Sequence, residues 1–220
     1  MNRPAPKMHF VFVHGWGFNA AIWRDLTGYM RSHAFSLVDL GFIAGGPKAA
    51  TSEWPSDAIA VGHSLGLLWL LHRAREEGRM PFRGLVSIQG FDRFCPHIPP
   101  SRVAFMRRGL RRDAYQTLDA FWRGCATEPF ASLEALNVAR LDEGLGWLTD
   151  WDETKATAGL ACPTLALAAR DDAIVPQAMS EAIWGGDNIR WSETGGHVLP
   201  LRHPEWCASH VLDFAHALQP

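Results

Sequence analysis

Ala58-Ile59-Ala60-Val61-Gly62-His63-Ser64-Leu65-Gly66-Leu67-Leu68 is the stretch on which the reading of this chain turns. A short apolar, β-rich run enters a Gly-x-Ser-x-Gly pattern, and an apolar run of helical character continues from Leu67 to Arg75. As a bare string the pattern is weak, because Gly and Ser are common. Between a strand and a helix it is strong: small residues on both sides allow a sharp reversal that holds the serine in a strained conformation, its hydroxyl above the sheet edge. The spacing predicts a strand over 58–61, a helix over 67–75 and a nucleophilic Ser64 between them.

Working outward, His9-Phe-Val-Phe-Val13 is β-rich without alternation, as in a parallel strand buried on both faces. His14-Gly15-Trp16-Gly17 breaks it, and Ala20, Ala21, Trp23, Leu26 and Met30 stand at helical spacing within 19–31. A second strand is predicted over 34–40, followed by a Gly-, Pro-, Ser- and Ala-rich loop over 41–57. Gly84-Leu-Val-Ser-Ile88 is a further strand. From 91 to 158 the β signal disappears and helices are predicted over 101–110, 113–125 and 132–148. Alternation then resumes with a strand over 162–168, a helix over 177–184, a strand over 189–191 and a helix over 204–218. Strands alternating with helices mean a parallel α/β sheet. The expected organisation is a core of 1–90 and 159–220 carrying an inserted helical cap, 91–158.

At 220 residues the chain has the size of one domain with room for a small subdomain. Its 47% hydrophobic and 20% charged residues exclude disorder, collagen and coiled coil as the dominant state. A net charge of −2 and a pI near 6.5 argue against bulk binding to nucleic acid or anionic membrane. Cys95, Cys125, Cys162 and Cys207 lack metal-ligand spacing, so reduced thiols are expected rather than a zinc site or a disulfide framework. The apolar run over 8–13 is too short for a signal peptide, and no stretch reaches the roughly 18 apolar residues of a membrane helix. The expectation is a cytoplasmic protein without metal or cofactor, with a monomer favoured.

Three further segments complete a candidate chemistry. The glycines of His14-Gly15-Trp16-Gly17 let backbone N–H groups approach a developing negative charge, with the N–H groups of Trp16 and Leu65 as candidate oxyanion donors. Asp171 and Asp172 follow a late strand and compete for the role of acid, and Gly195-Gly196-His197 supplies a base after the last strand. Serine, acid, histidine is the chain order of α/β-hydrolase triads.

These residues resemble the α/β-hydrolase superfamily along nearly the whole chain, with helices on both faces of a mostly parallel sheet. More narrowly, they resemble the pimeloyl-acyl-carrier-protein methyl ester esterases of biotin synthesis. The likeness rests on Val13-His-Gly-Trp-Gly-Phe-Asn-Ala-Ala-Ile-Trp23, Leu37-Val-Asp-Leu-Gly41, the segment from Gly62 to Gly66, the cap stretch 98–125, Asp172-Ala-Ile-Val-Pro176, and Gly196-His197 with His203-Pro204. In that family the acid stands four residues before the proline, which selects Asp172. The resemblance implies Ser64 as nucleophile, His197 as base, and Trp16 and Leu65 as oxyanion donors. Leu67 stands where many relatives carry glycine, and 41–57 is too short for the helix that usually precedes this strand.

Residues 101–125 hold Arg102, Arg107, Arg108, Arg111, Arg112 and Arg123 against Asp113 and Asp119, a local excess of positive charge in an acidic chain. Arg107, Arg108, Arg111 and Arg112 fall on one side of a helix that continues through Gly109, and such an edge attracts an acidic partner such as an acyl carrier protein. Phe105, Leu110, Phe121, Trp122, Trp147 and Trp151 are candidates for an acyl pocket, although a cap helix buries such residues against a sheet in any case. The leading expectation is a serine carboxylesterase acting on a carrier-bound methyl ester. A broad short-chain esterase or thioesterase, and a non-catalytic binding protein on the same fold, remain open at this stage.

Overall fold

A computed structural model describes residues 7–46, 55, 57–185 and 188–219. Among the described residues six parallel strands form one sheet in the order β2-β1-β3-β4-β5-β6. They are β1 (His9–Val13), β2 (Ala34–Val38), β3 (Ile59–His63), β4 (Gly84–Ile88), β5 (Thr164–Ala169) and β6 (Ile189–Ser192). Every residue of β3 and β4 is buried, which is why these strands read as continuous apolar runs. Around the sheet run α1 (Arg24–Gly28), α2 (Leu65–Glu76), α7 (Gln177–Trp184), α8 (Leu199–Arg202) and α9 (Pro204–Ala217).

β4 pairs directly with β5 although 75 residues separate them, and this interval holds α3 (Pro100–Arg112), α4 (Ala114–Gly124), α5 (Val138–Asp150) and α6 (Thr154–Ala158). The insert is fastened to the strand ends by polar contacts. Trp16 Nε1 donates to the Leu141 carbonyl at 2.8 Å, Trp122 Nε1 to the Gly17 carbonyl at 2.8 Å, and the Asn137 N–H to the Phe42 carbonyl at 2.9 Å.

The structure departs from the sequence reading where capping outweighs periodicity. The predicted helix over 19–31 is a 3-10 turn, Ala20–Trp23, followed by the short α1, because the Asn19 side chain caps the chain at the Ala21 N–H. The helix predicted over 132–148 begins only at Val138: Leu136 pairs with Ile43 in an isolated antiparallel bridge, and Asn137 caps the Arg140 N–H. The short α6 and α8 had no periodic signal. Of the predicted loop 41–57, positions 47–54 and 56 lie outside the described residues. Among the described residues no helix is long and apolar enough to cross a membrane.

Candidate active site

Ser64 sits between β3 and α2 with φ 52° and ψ −124°, a region that non-glycine residues rarely occupy. Its neighbours impose that turn. A Cβ on Gly62 would lie 2.6 Å from the Leu67 Cα, and a Cβ on Gly66 would collide with the carbonyl oxygen of Val13. Gly15 is equally constrained, because a Cβ there would lie 2.9 Å from that of Ser64. The three glycines therefore permit the close approach of two loops rather than flexibility. Leu65 is the first residue of α2, so its N–H has no partner within the helix and opens beside Ser64.

His197 Nε2 lies 2.8 Å from Ser64 Oγ, and His197 Nδ1 lies 2.8 Å from Asp172 Oδ2. A carboxylate only accepts, so Nδ1 carries the hydrogen and Nε2 faces the serine hydroxyl as acceptor. The other Asp172 oxygen accepts the N–H groups of Ile174 at 2.8 Å and Val175 at 2.9 Å. Ser64, Asp172 and His197 are all buried. Asp171 does something else, accepting the N–H groups of Gly195 at 3.2 Å and Gly196 at 2.9 Å, so it clamps the loop that presents His197. The same loop is held from the insert, where the Cys125 carbonyl accepts the His197 N–H at 3.2 Å.

Two further histidines, one in the glycine loop and one beside Ser64, brace this arrangement. His14 Nδ1 donates to the Gly15 carbonyl at 2.9 Å and its Nε2 accepts the Leu40 N–H at 2.8 Å, pinning the glycine loop. His63 is fully buried, and its Nε2 donates to the His197 carbonyl at 2.9 Å. Burial first, and then the neighbouring His197, hold His63 well below the usual imidazole range.

A cavity of about 80 Å³ opens over Ser64, lined by Trp16, Leu65, Phe91, Val103, Phe121 and Ile174 among others, with Arg102 its one cation among the described residues. It adjoins a wider groove of about 540 Å³ between α3 and α4, with which it shares Met106, Phe121 and Ile174. Among the described residues no group of three or more His, Cys, Asp or Glu side chains is arranged as for a metal ion.

No family model matches the chain. Pimeloyl-acyl-carrier-protein methyl ester esterases do match it. The one from Yersinia enterocolitica is 26% identical, covering 93% of this chain and 92% of its own length. The one from Sodalis glossinidius is 31% identical over 203 residues, 76% of each chain. This chain belongs to that esterase family. The fold is shared more widely: a thermophilic esterase from Thermogutta terrifontis superposes with a TM-score of 0.78 at 16% identity, covering 98% of this chain and 92% of that one. An esterase from Exiguobacterium antarcticum gives the same TM-score and identity.

Away from the sheet edge of this esterase, the structure revises several expectations. Trp122 is fully buried, bonded to Gly17, and does not line the cavity. Trp147 and Trp151 stack on each other at 4.8 Å, and Trp151 stacks on His72 at 3.6 Å, so both belong to a separate aromatic pile. Phe105, 70% exposed, stands on the groove rather than over Ser64. Of the aromatic candidates Phe121 does line the cavity, joined by Phe91 and Ile174, which carry no pattern that separates them from core residues in the sequence.

The four arginines do not form one free patch either. Arg107 makes two bonds to Asp142, at 2.9 and 2.6 Å, and Arg111 comes within 3.9 Å of the same carboxylate, holding it below the usual range. Arg108 lies over the Phe105 ring and Arg112 lines the groove. At 100° per residue, positions 107 and 111 turn toward α5 while 108 and 112 turn away from it.

Proposed function

We propose that this protein hydrolyses the methyl ester of pimeloyl-acyl carrier protein, releasing methanol and pimeloyl-acyl carrier protein for biotin synthesis. The observation that carries the reading is the unbroken chain from Ser64 through His197 to Asp172, set on a strained turn beneath an apolar cavity. Family membership supports the substrate class, since the relatives bear that name.

In this reading Ser64 Oγ attacks the ester carbonyl while His197 Nε2 takes its proton, and Asp172 holds the imidazole in the required tautomer. The N–H groups of Trp16 and Leu65 stabilise the oxyanion of the tetrahedral intermediate. The C–O bond to the methoxy group breaks as His197 returns the proton, and methanol leaves. Water, deprotonated by His197, then attacks the acyl-serine, and the acyl–Oγ bond breaks as His197 passes that proton to Ser64 Oγ, which frees the acid and regenerates the serine. No step needs a metal or cofactor. The small cavity suits the methyl ester end, and the groove between α3 and α4 suits the longer acyl arm leading to the carrier. Residues 91–158 act as the cap over this path, with Arg102, Arg108 and Arg112 offering positive charge to an acidic carrier.

The test compares hydrolysis of the carrier-bound methyl ester with that of a free short-chain methyl ester at low and high salt. A carrier preference that salt abolishes supports the reading. Equal turnover of both esters, insensitive to salt, makes the protein a broad esterase, and absence of turnover with both makes it a binding protein.

A further inference from the structure

Gln89 belongs to no motif in the sequence, yet it stands at the junction of the acid, the histidine loop and the last helices. It follows β4 directly and has φ 53°, a left-handed conformation rare for a residue with a side chain. Its backbone N–H donates to the Leu167 carbonyl at 2.8 Å, which fixes it between β4 and β5, and its side chain is buried. Side-chain Nε2 donates to Asp172 Oδ2 at 2.9 Å and to the Gly196 carbonyl. Side-chain Oε1 accepts the Leu199 N–H at 3.0 Å. Only this orientation of the amide is chemically consistent, because turning it over would set an oxygen against a carboxylate and a carbonyl and an NH₂ against an N–H.

We infer that Gln89 is a positioning residue of the esterase site: its amide orients Asp172 Oδ2 toward His197 while fixing the loop on which His197 rides. The inference rests on the catalytic roles proposed for Asp172 and His197. Asp172 Oδ2 is shared by two donors, His197 Nδ1 and Gln89 Nε2, so the charge available to the imidazole depends on both. Among the described residues the charged and titratable groups that face this pair are His197, Asp171 through the glycine loop, His63 behind the His197 carbonyl, and the Cys125 thiol, which burial and then Asp172 push up and keep neutral. A merely structural glutamine would keep the loop folded without influencing the protonation of His197, and this difference can be measured.

The experiment records kcat and KM against pH for a soluble ester in the wild type, Gln89→Met and Gln89→Glu, with the low-field proton resonance of His197 Nδ1–H. Gln89→Met keeps the stem and removes all three side-chain bonds. It is expected to lower kcat about 10- to 100-fold, as loss of an orienting partner does, with KM within about twofold. Gln89→Glu is nearly isosteric but sets a second carboxylate against Asp172. That anion favours the imidazolium, so the acid limb of kcat/KM should move up by about one pH unit, and the low-field resonance should move with it.

Variants that fold but keep the wild-type kcat, acid limb and resonance overturn the inference. Should neither variant fold, the wild type decides: the Gln89 side-chain amide protons must exchange slowly with solvent and shift as His197 titrates. Fast exchange with no titration shift overturns it. Loss of ester turnover in the wild type itself would instead sink the catalytic reading, and the proton resonances report on Gln89 independently of that outcome.

Discussion

The carboxyl-terminal edge of the sheet and the inserted helices obey different rules. At the sheet edge each candidate group sits within three residues of a strand or on a loop tied down by several backbone bonds. Ser64 follows β3 directly, Asp171 and Asp172 follow β5, and His197 is anchored through Gly195, Gly196 and its own N–H. Parallel register fixes where such residues lie, so order along the chain becomes geometry. In the insert, a side chain's fate depends on how a helix is rotated and on what faces it. Arg107 and Arg108 are adjacent in sequence, yet one is bound to Asp142 and the other lies over Phe105.

The sharpest way to break this contrast is to change the two adjacent acids. Asp172→Asn should lower kcat on the order of 10⁴-fold, because an amide can present a donor to His197 Nδ1 and stabilise the wrong tautomer. Asp171→Asn should cost only about 10-fold, since one oxygen still accepts a glycine N–H while the loop loosens. Steady-state kinetics on one ester decides, and a reversed order would move the acid to Asp171.

A second prediction concerns the stability of the sheet edge. His63 is held neutral by burial, so below the ordinary imidazole value of 6.5 the unfolded chain binds a proton that the folded chain refuses. Stability should therefore be full above that pH and fall with acidification by up to about 1.4 kcal/mol per pH unit for this one group. Melting curves between neutral and mildly acidic pH check the sign. A flat profile in wild type and His63→Gln alike contradicts it.

The insert supplies the smaller effects. Arg112→Glu should raise KM for the carrier-bound ester about 3- to 10-fold at low salt, with little change for a small neutral ester. The increase should shrink as the Debye length falls from ~8 Å to ~3 Å between 0.15 and 1 M salt. Arg107→Ala, by contrast, should remove a half-exposed ion pair and act on stability by about 0.2–1 kcal/mol. Similar KM changes in both variants would restore the single patch expected from the sequence.

What was legible in the sequence follows the same division. The strands and their parallel arrangement could be read from their alternation with helices, most clearly where burial on both faces leaves a continuous apolar run, as in Phe10 to Val13. Boundaries set by single capping contacts, at Asn19 and Asn137, were not legible, since a capping asparagine looks like any polar residue until its partner is known. Ser64, His197 and the pair of aspartates could be named as candidates, but the separate duties of Asp171 and Asp172 depend on loops 25 residues away in sequence. Gln89 left no trace at all: its significance comes from three partners more than 80 residues distant.

The claim that Ser64 is the nucleophile of this esterase is tested most directly by covalent labelling. Incubation with a fluorophosphonate, followed by intact-mass and peptide analysis, should show one adduct per chain, located on the peptide carrying Ser64. Ser64→Ala should take up no label and lose ester turnover on the order of 10⁴-fold or more while melting as a folded protein. Labelling at another residue, or turnover retained by a folded Ser64→Ala protein, would contradict the account.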